Sequence, residues 1–353
     1  MKIKLFCMAL CLCVFTACEK DEPVIPDEPV VPPTEQQPEQ PEEPETPGEP
    51  EEPDIPAEPQ EPVPTDGIVN WNNEFIIVGD NNMANIGNYE WRSIAFGNGR
   101  YVTVGGTTYT GYYTTSSNGT DWDTPEKLPD DVLIFNEGHC IAFGNGKFVI
   151  SSRGGVYVSS DGMNWTSVCV ETSISKTSTW GKICFSNGNF YLLGGQSGAS
   201  FMGISNDGSN WNVISTIESF NMGIAYGNGK YVMVRNGNVT SRPSWSDISS
   251  DGVNWSKGGT INDTMLVKDV AFGNGKFVAV GKPSAKVFYS TDGVNWSIGQ
   301  NVPQYYFNSV IFNGEKFISA GTSGHVIQST DGVNWTDTKL STSTDLNDIC
   351  PVQ

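Results

Sequence analysis

Aromatic and charged side chains recur just ahead of one repeated motif, and they are the residue types that bind sugars and other polar ligands. Aromatic faces pack on the C–H patches of sugar rings, while amide, carboxylate and guanidinium groups bind the hydroxyls. The residues of this kind are Trp91, Arg92, Trp180, Lys182, Lys268, Asp269, Tyr305, Tyr306 and Phe307, together with Trp245 from a loop between the second and third strands of a repeat on the same side. The pattern predicts a ligand-binding surface. The alternative is that Trp91, Trp180 and Phe307 occupy one repeat position and only fill the interior.

Catalytic and metal-binding chemistry has weaker support. Glycoside hydrolysis needs two carboxylates in a cleft, and nothing in the sequence pairs any two of the acidic candidates. These candidates are Asp130, Asp131, Glu137, Glu171, Glu218, Asp263 and Asp269. His139 and His325 lack the spacing of metal ligands. We therefore expect no metal and no cofactor, favour a non-catalytic role and leave an enzyme open.

The cysteines of the repeat region form no Cys-x-x-Cys pair. They are Cys140, Cys169, Cys184 and Cys350. Three of them fall where other repeats carry a small residue, which favours free, buried thiols over disulfides. Disulfides stay open as the alternative.

Two strings of residues recur six times in fixed order, and they must position the candidate residues. The first string resembles AFGNGKFVAVG and the second SxDGxNW. The tryptophans that end the second string recur every 39 to 46 residues, at Trp122, Trp165, Trp211, Trp255, Trp296 and Trp335. A period of about 40 to 45 residues with four short strands per unit is typical of a β-propeller blade.

The turn residues support this architecture. Asn-Gly in the first string predicts a tight hairpin between strands A and B, because both residues tolerate positive φ. Asp-Gly in the second string predicts a turn between strands C and D in which the carboxylate accepts backbone N–H groups. These aspartates are Asp161, Asp207, Asp251, Asp292 and Asp331. The following tryptophan is expected to pack between blades.

The SxDGxNW string resembles the Asp-box of bacterial neuraminidase repeats, with one residue fewer between Asp and Trp. The resemblance implies a propeller in which the box is structural and lies opposite the active site. Sialidase activity needs an arginine triad, yet the chain has five arginines, of which Arg100 lies in a predicted structural hairpin. No Arg-Ile-Pro motif occurs. A divergent, sialidase-like glycoside hydrolase is therefore only the second alternative.

Both ends of residues 67–353 supply part of one further blade. Residues 68–79 resemble residues 310–321, so an A–B hairpin is expected to open the domain. Residues 346–350 resemble residues 307–311, the start of a strand A. We expect an all-β, monomeric propeller of about seven four-stranded blades, the last one composite, with six blades as the alternative.

The first residues predict export and attachment to a membrane. Lys2 and Lys4 precede a short apolar run, typical of a signal peptide over residues 1–17. Residues 15–18 resemble a bacterial lipobox, which implies lipidation at Cys18. The next residues resemble the surface-export signal of Bacteroidetes lipoproteins, which implies the outer membrane and the cell surface, with its periplasmic face as the alternative. Residues 263–265 resemble a Bacteroidetes O-glycosylation site at Thr264.

Charge and composition separate a stalk from a folded body. Residues 19–66 hold 15 of the 21 prolines and 17 acids against one base. This acidic, proline-rich composition predicts an extended stalk over residues 18–66. The body has 23 acids and 17 bases, so no basic surface suits nucleic acid. The sequence thus predicts a surface propeller that captures glycans, with an envelope protein scaffold as the first alternative.

Overall fold

The computed structural model describes a protein built almost wholly of β-strands. The described residues are 68–71, 75–79, 90–106, 110–129, 140–171, 179–196, 199–216, 220–236, 243–262, 266–283, 285–340 and 342–352. They contain 27 strands and one 3₁₀ helix, Thr322–Gly324. No helix in these ranges is long and apolar enough to cross a membrane. The predicted signal peptide, Cys18, the stalk and Thr264 lie outside them.

The strands form antiparallel sheets in chain order. A first hairpin comprises β1 (Ile68–Trp71) and β2 (Phe75–Gly79). Blade I contains β3 (Glu90–Gly97), β4 (Arg100–Gly106), β5 (Gly111–Ser116) and β6 (Glu126–Lys127). Blade II contains β7 (Ile141–Gly144), β8 (Lys147–Ser152), β9 (Gly155–Ser159) and β10 (Thr166–Cys169). Blade III contains β11 (Thr179–Ser186), β12 (Asn189–Gln196), β13 (Ala199–Ser205) and β14 (Asn212–Thr216).

Three further blades repeat this order. Blade IV contains β15 (Phe220–Gly227), β16 (Lys230–Asn236), β17 (Ser244–Ser249) and β18 (Ser256–Asn262). Blade V contains β19 (Leu266–Gly273), β20 (Lys276–Lys282), β21 (Phe288–Ser290) and β22 (Ser297–Ile298). Blade VI contains β23 (Phe307–Phe312), β24 (Phe317–Gly321), β25 (His325–Ser329) and β26 (Thr336–Lys339). Each of these six sheets has four strands, as predicted.

Blade VII is composite, and among the described residues it has three strands rather than four. β27 (Leu346–Pro351) pairs with β2, and β2 pairs with β1. The prediction of a composite last blade is confirmed. Strand A of each blade is its inner strand, next to strand A of the neighbouring blades. The prediction that β1 is strand A of this blade is wrong, because β27 takes that place beside β3 and β23. β27 supplies Asn347 and Asp348, which hydrogen-bond to the blades on either side.

The turn between the first two strands of a blade also ties that blade to the next one. Its asparagine has φ of 45° to 49° in blades I to V, a conformation that asparagine adopts more readily than most residues. The side-chain amide of Asn98 donates to the carbonyl oxygens of Gly146 at 3.2 Å and Ser160 at 2.8 Å, both in blade II. The same contacts to the following blade are made by Asn145, Asn228 and Asn274.

The SxDGxNW turns are held by their own aspartates. Asp161 Oδ1 accepts the backbone N–H groups of Met163 at 2.9 Å and Asn164 at 2.8 Å, and its Oδ2 accepts the Asn164 amide at 2.7 Å. Equivalent bonds are made by Asp207, Asp251, Asp292 and Asp331. In blade I the two side chains are exchanged, and the Asn118 amide donates to Asp121 at 2.7 Å.

Seven hydrophobic clusters fill the interfaces between neighbouring blades. Between blades I and II, for example, Trp165 packs against a cluster that includes Val102 and Phe148. The tryptophans in the equivalent place are Trp122, Trp211, Trp255, Trp296 and Trp335. The predicted packing of these tryptophans between blades is confirmed. The ring of interfaces is closed, since separate clusters join blade VII to blades VI and I.

Glycines at the ends of inner strands allow neighbouring blades to approach closely. A Cβ atom on Gly97 would lie 2.2 Å from the Phe143 ring of blade II. The same relation to a phenylalanine of the next blade holds for Gly144, Gly227 and Gly273. Blade III has Ser186 at this position, and Tyr226 of blade IV is exposed (36%) where blades I, II, III, V and VI have a phenylalanine.

Candidate functional site

The inner strands begin with a β-bulge that redirects one side chain per blade. The pairing register shifts there in every blade except blade II. A bulge inserts one extra residue and re-aims the side chains beside it. The residues after the bulge, with the equivalent residue of blade II, form the inner ring, which consists of Ser93, Cys140, Lys182, Gly223, Asp269, Ser309 and Asp348.

One carboxylate closes the inner ring where both ends of the described chain meet. Asp348 Oδ2 accepts the Ser93 hydroxyl at 2.7 Å and the Ile94 N–H at 3.1 Å. Its Oδ1 accepts the Ser309 hydroxyl at 2.8 Å and the Ile349 N–H at 2.9 Å. Asp348 therefore links blades VI, VII and I. Burial raises the pKa of its carboxyl, although hydrogen bonding to Ser93 and the charge of Lys182 oppose the rise.

Lys182 and Asp269 span the place where the ring has no side chain. Lys182 Nζ lies 2.6 Å from Asp269 Oδ1, although blade IV separates their blades. Blade IV contributes Gly223, and a Cβ atom there would lie 3.1 Å from that carboxylate oxygen. Burial alone would lower the pKa of the Lys182 ammonium, but the Asp269 charge raises it overall. The two residues, both predicted as ligand-binding, thus bind each other.

Asp269 and Asp348 come together at the Ser309 hydroxyl, which lies 3.3 Å from Asp269 Oδ2 and 2.8 Å from Asp348 Oδ1. Two nearby carboxylates are the arrangement that glycoside hydrolysis requires. Each oxygen of Asp348, however, already accepts two hydrogen bonds, which fills its acceptor capacity. Asp269 also accepts the Val310 N–H at 3.1 Å. These contacts hold blades together and leave no oxygen of Asp348 for a substrate.

The four described cysteines are free. Cys140 belongs to the inner ring, where its sulfur lies 3.5 Å from Ser93 Oγ and donates to the Ile183 carbonyl at 3.4 Å. Burial raises the pKa of the Cys140 thiol and raises the pKa of Cys184 to about 12, so neither forms a nucleophilic thiolate near neutral pH. Cys169, which lies in β10 and not in or next to an inner strand like the other three, is exposed.

Three of the aromatic residues predicted to bind a ligand are interior. Trp91 and Trp180 are 1% exposed and Phe307 is 0% exposed. Each lies opposite a glycine of the second strand, at Gly105, Gly194 and Gly321 respectively. A ligand contacts only exposed atoms, so the expectation that these residues form a surface platform is corrected. They fill space between blades, which was the alternative.

Two other predicted residues belong to polar clusters between strands. Trp245 is 8% exposed and packs under the guanidinium of Arg235, 4.9 Å from the ring centroid. Arg235 binds both oxygens of Asp247, at 2.7 and 2.8 Å. In blade VI the Tyr305 ring stacks on His325 with centroids 3.4 Å apart. Lys268, also predicted to bind a ligand, is half-buried and is the bulge residue of β19.

The residues that are accessible at the starts of the inner strands define the mouth surface: Glu90, Arg92, Tyr306 and Asp345. Glu90 and Arg92 form an ion pair, with 51% and 23% of their side chains exposed. Tyr306 is 38% exposed, and its N–H bonds the Thr322 hydroxyl at 3.3 Å. The mouth surface lies at the end of the blades opposite the A–B and C–D turns, because inner strands run from it toward those turns.

Several candidates fall outside the described residues: Asp130, Asp131, Glu137, His139, Glu218 and Asp263. Glu171 is described and exposed. Within the described ranges no group of three His, Cys, Asp or Glu side chains could hold a metal ion. That one residue of each blade belongs to a common inner ring was not predicted from the sequence. Aligning the repeats on their first string would have placed its seven members in one column.

The sheets and their closure define a β-propeller, and comparisons with known proteins agree. A DUF6242 beta propeller domain is found over residues 69–212, about two fifths of the chain. Among curated proteins, none matches the sequence. The solved structure titled YCF48 bound to D1 peptide is 15% identical, with a TM-score of 0.53, and the match covers 80% of this chain and 96% of that one.

Two further solved structures are similar at lower scores. YCF48 from Cyanidioschyzon merolae is 14% identical with a TM-score of 0.49, and the match covers 72% of this chain and 87% of that one. A chain of a nidogen/laminin complex is 11% identical with a TM-score of 0.47, covering 72% and 99% respectively.

Proposed function

We propose that this chain is a non-catalytic binding propeller that holds a protein partner at the mouth surface. The observation that carries the proposal is the character of the residues exposed there. An ion pair of Glu90 and Arg92 and the acid Asp345 accompany the exposed ring of Tyr306. Arginine and tyrosine are enriched at protein–protein interfaces, and the rim of such interfaces is polar. Connections between the elements of a rigid scaffold commonly carry binding.

A propeller of similar fold supports the choice of a protein partner. The YCF48 structure that shares this fold has a D1 peptide bound. We take from that protein only the kind of ligand, a peptide segment. The place where we propose that the peptide binds, the mouth surface, comes from the exposed residues of the present chain.

The proposal includes a location at the surface of a bacterial outer membrane. Its support is the lipobox-like segment at residues 15–18 and the acidic residues that follow Cys18. A lipid on Cys18 would tether the chain. A stalk of forty-odd residues in polyproline II conformation would let the propeller reach roughly 130 Å from the anchor.

Glycan capture is a second candidate, favoured by one observation. Tyr306 exposes 38% of its surface, and an exposed aromatic ring can stack on a sugar. A protein partner ranks first because Trp91, Trp180 and Phe307, which would have extended the aromatic surface, are buried. Glycoside hydrolysis is not proposed, since Asp348 has no free oxygen to offer.

A photo-crosslinking amino acid at Tyr306 tests the proposal. The matched control carries the same group at Met163, which is 42% exposed in a C–D turn at the opposite end of the blades. After irradiation of cells that make the full chain, mass spectrometry identifies the adducts. We expect a protein adduct from position 306 that is absent from position 163. Carbohydrate adducts would support glycan capture instead, and identical or absent adducts at both positions would contradict both functions.

A further inference from the structure

The exposed tyrosine of the mouth surface lies beside two lysines of a neighbouring blade. Tyr306 belongs to the link that enters blade VI. Lys282 and Lys286 flank the loop between the second and third strands of blade V, at the end of the blade opposite its A–B and C–D turns. We propose that the peptide held at the mouth surface is acidic and binds these two lysines beside the Tyr306 ring. This inference rests on the proposed function and adds the chemical class of the partner segment.

Strand β20 directs Lys282 toward blade VI. Side chains alternate between the two faces of a strand. Val278 and Val280 of β20 are buried in the hydrophobic cluster that joins blade V to blade VI. Phe277 and Ala279 belong to the cluster on the opposite face, with blade IV. Lys282 continues the row of Val278 and Val280 and is exposed at the mouth end of the strand.

The same cluster fixes the chain around Lys286 and Tyr306. Val287, which follows Lys286, is fully buried in the cluster between blades V and VI. Phe307, which follows Tyr306, is also fully buried there, and Tyr305 packs against it. Lys286 and Tyr306 themselves are exposed. The two lysines and the tyrosine ring therefore border one packed interface, which holds their backbone in place.

The charge at this place contrasts with that of the whole folded body, which has 23 acids and 17 bases. A third lysine, Lys268, lies at the same end of blade V, in the bulge of β19. The acids Asp269 and Asp337 of blades V and VI bind Lys182 and His325 respectively. A cluster of lysines attracts a negatively charged segment, and such complementarity speeds association and selects between partners.

The lysines and the tyrosine favour different parts of one peptide. A lysine ammonium carries three donors and no acceptor, so Lys282 and Lys286 suit carboxylate groups. The Tyr306 ring is 38% exposed and offers an apolar face with a polar tip. A segment in which acidic and apolar side chains alternate satisfies both kinds of group. An uncharged glycan could stack on Tyr306 but would bring no charge to the lysines.

A phage-displayed library of random twelve-residue peptides, selected on the full chain, tests the inference. Lys282→Glu with Lys286→Glu reverses both charges of the site. Lys127→Glu with Lys257→Glu is the matched control, on exposed positions in the outermost strands of blades I and IV. We expect the parent and the control to select peptides of net negative charge. The Lys282 and Lys286 variant should bind a selected peptide about tenfold more weakly or worse in fluorescence anisotropy, with an unchanged melting temperature.

Three outcomes would overturn the inference: selected peptides that are neutral or basic, equal binding of an acidic peptide by both charge-reversed variants, or no selected peptide at all. Photo-crosslinking from position 306 separates this inference from the proposed function. A protein adduct that persists in the Lys282 and Lys286 variant would keep a partner at the mouth surface and reject the acidic segment. Absence of a protein adduct from the parent would contradict the proposed function itself.

Discussion

At the scale of single residues, one position in each repeat determines how the blades meet at the centre. In three blades the side chain of that residue accepts a backbone N–H of the next inner strand. Such bonds join Ser93 to Ile141 at 3.2 Å, Asp269 to Val310 at 3.1 Å and Asp348 to Ile94 at 3.1 Å. Glycine in blade IV interrupts the series. Lys182 compensates for the missing side chain by reaching across to Asp269.

Replacing Lys182 with methionine should destabilise the propeller by about 1–3 kcal/mol, because it leaves the mostly buried Asp269 carboxylate without its charged donor. Urea unfolding monitored by tryptophan fluorescence measures the change. Lys339→Met, on the exposed face of β26, is the control and should change stability little. The double variant Lys182→Met with Asp269→Asn should lose less than the sum of the single losses. Equal stability of the Lys182 and Lys339 variants would contradict this role.

The sequence predicts Lys182 and Asp269 as ligand-binding residues, and the structure shows that they bind each other. Their pairing was not predictable, because they are 87 residues apart and meet only over the glycine of an intervening blade. The burial of Trp91 was an open alternative that the sequence could not decide, since its place against Gly105 depends on the register of the bulge. The residue types thus identified these positions in the sequence, but the backbone geometry determines which groups each side chain contacts.

At the scale of elements, the turns were the most predictable part of the fold. Asn-Gly and Asp-Gly pairs have local reasons to turn that hold in any surroundings. The one misplaced element is β1, which has the alternation of an inner strand but lies third in its sheet. Both β1 and β27 resemble the inner strand of the other blades. Only β27 carries an inner-ring residue, Asp348, and β27 takes the inner place of blade VII.

The hydrogen bonds of the C–D turn make its contribution to stability depend on pH. The backbone N–H and side-chain amide of Asn164, with the N–H of Met163, hold the pKa of the Asp161 carboxyl well below its usual range. A carboxyl whose pKa is lower in the folded than in the unfolded state stabilises the fold above its unfolded pKa, near 4. That contribution is lost as the pH falls below about 4 toward the folded pKa.

Exchanging the two side chains of one turn tests this account. Asp161→Asn should lower the melting temperature at pH 7, because two amides would then face each other. Adding Asn164→Asp recreates the Asn118–Asp121 arrangement of blade I and should restore most of the loss. The deficit of Asp161→Asn should shrink as the pH falls below about 4 in a thermal denaturation series. A double variant no better than the single one would argue against an exchangeable pair.

At the scale of the whole molecule, stability depends on closing the ring of blades. Repeat arrays that contact only their neighbours leave two open ends, whereas closed propellers protect their edges. Here closure is made by β27, which buries Leu346 and Ile349 in the interface with blade VI and Cys350 in the interface with blade I. The period of the repeats predicted the number of blades, and the resemblance between the two ends predicted that one blade is shared.

A chain that ends at residue 344 should therefore lose far more than one strand. Burial of Leu346 and Ile349 alone is worth about 3–6 kcal/mol, and the truncation also removes the Asp348 carboxylate that joins blades VI, VII and I. We expect a large drop in melting temperature, with a chain ending at residue 351, which retains all of β27, as the control. Adding a peptide of residues 345–353 in excess should restore stability by mass action. The same peptide with Asp348→Ala should restore less, because it rebuilds the apolar interfaces but leaves the hydroxyls of Ser93 and Ser309 without their shared acceptor. Parent-like stability of the truncated chain would mean that closure of the ring contributes little to the fold.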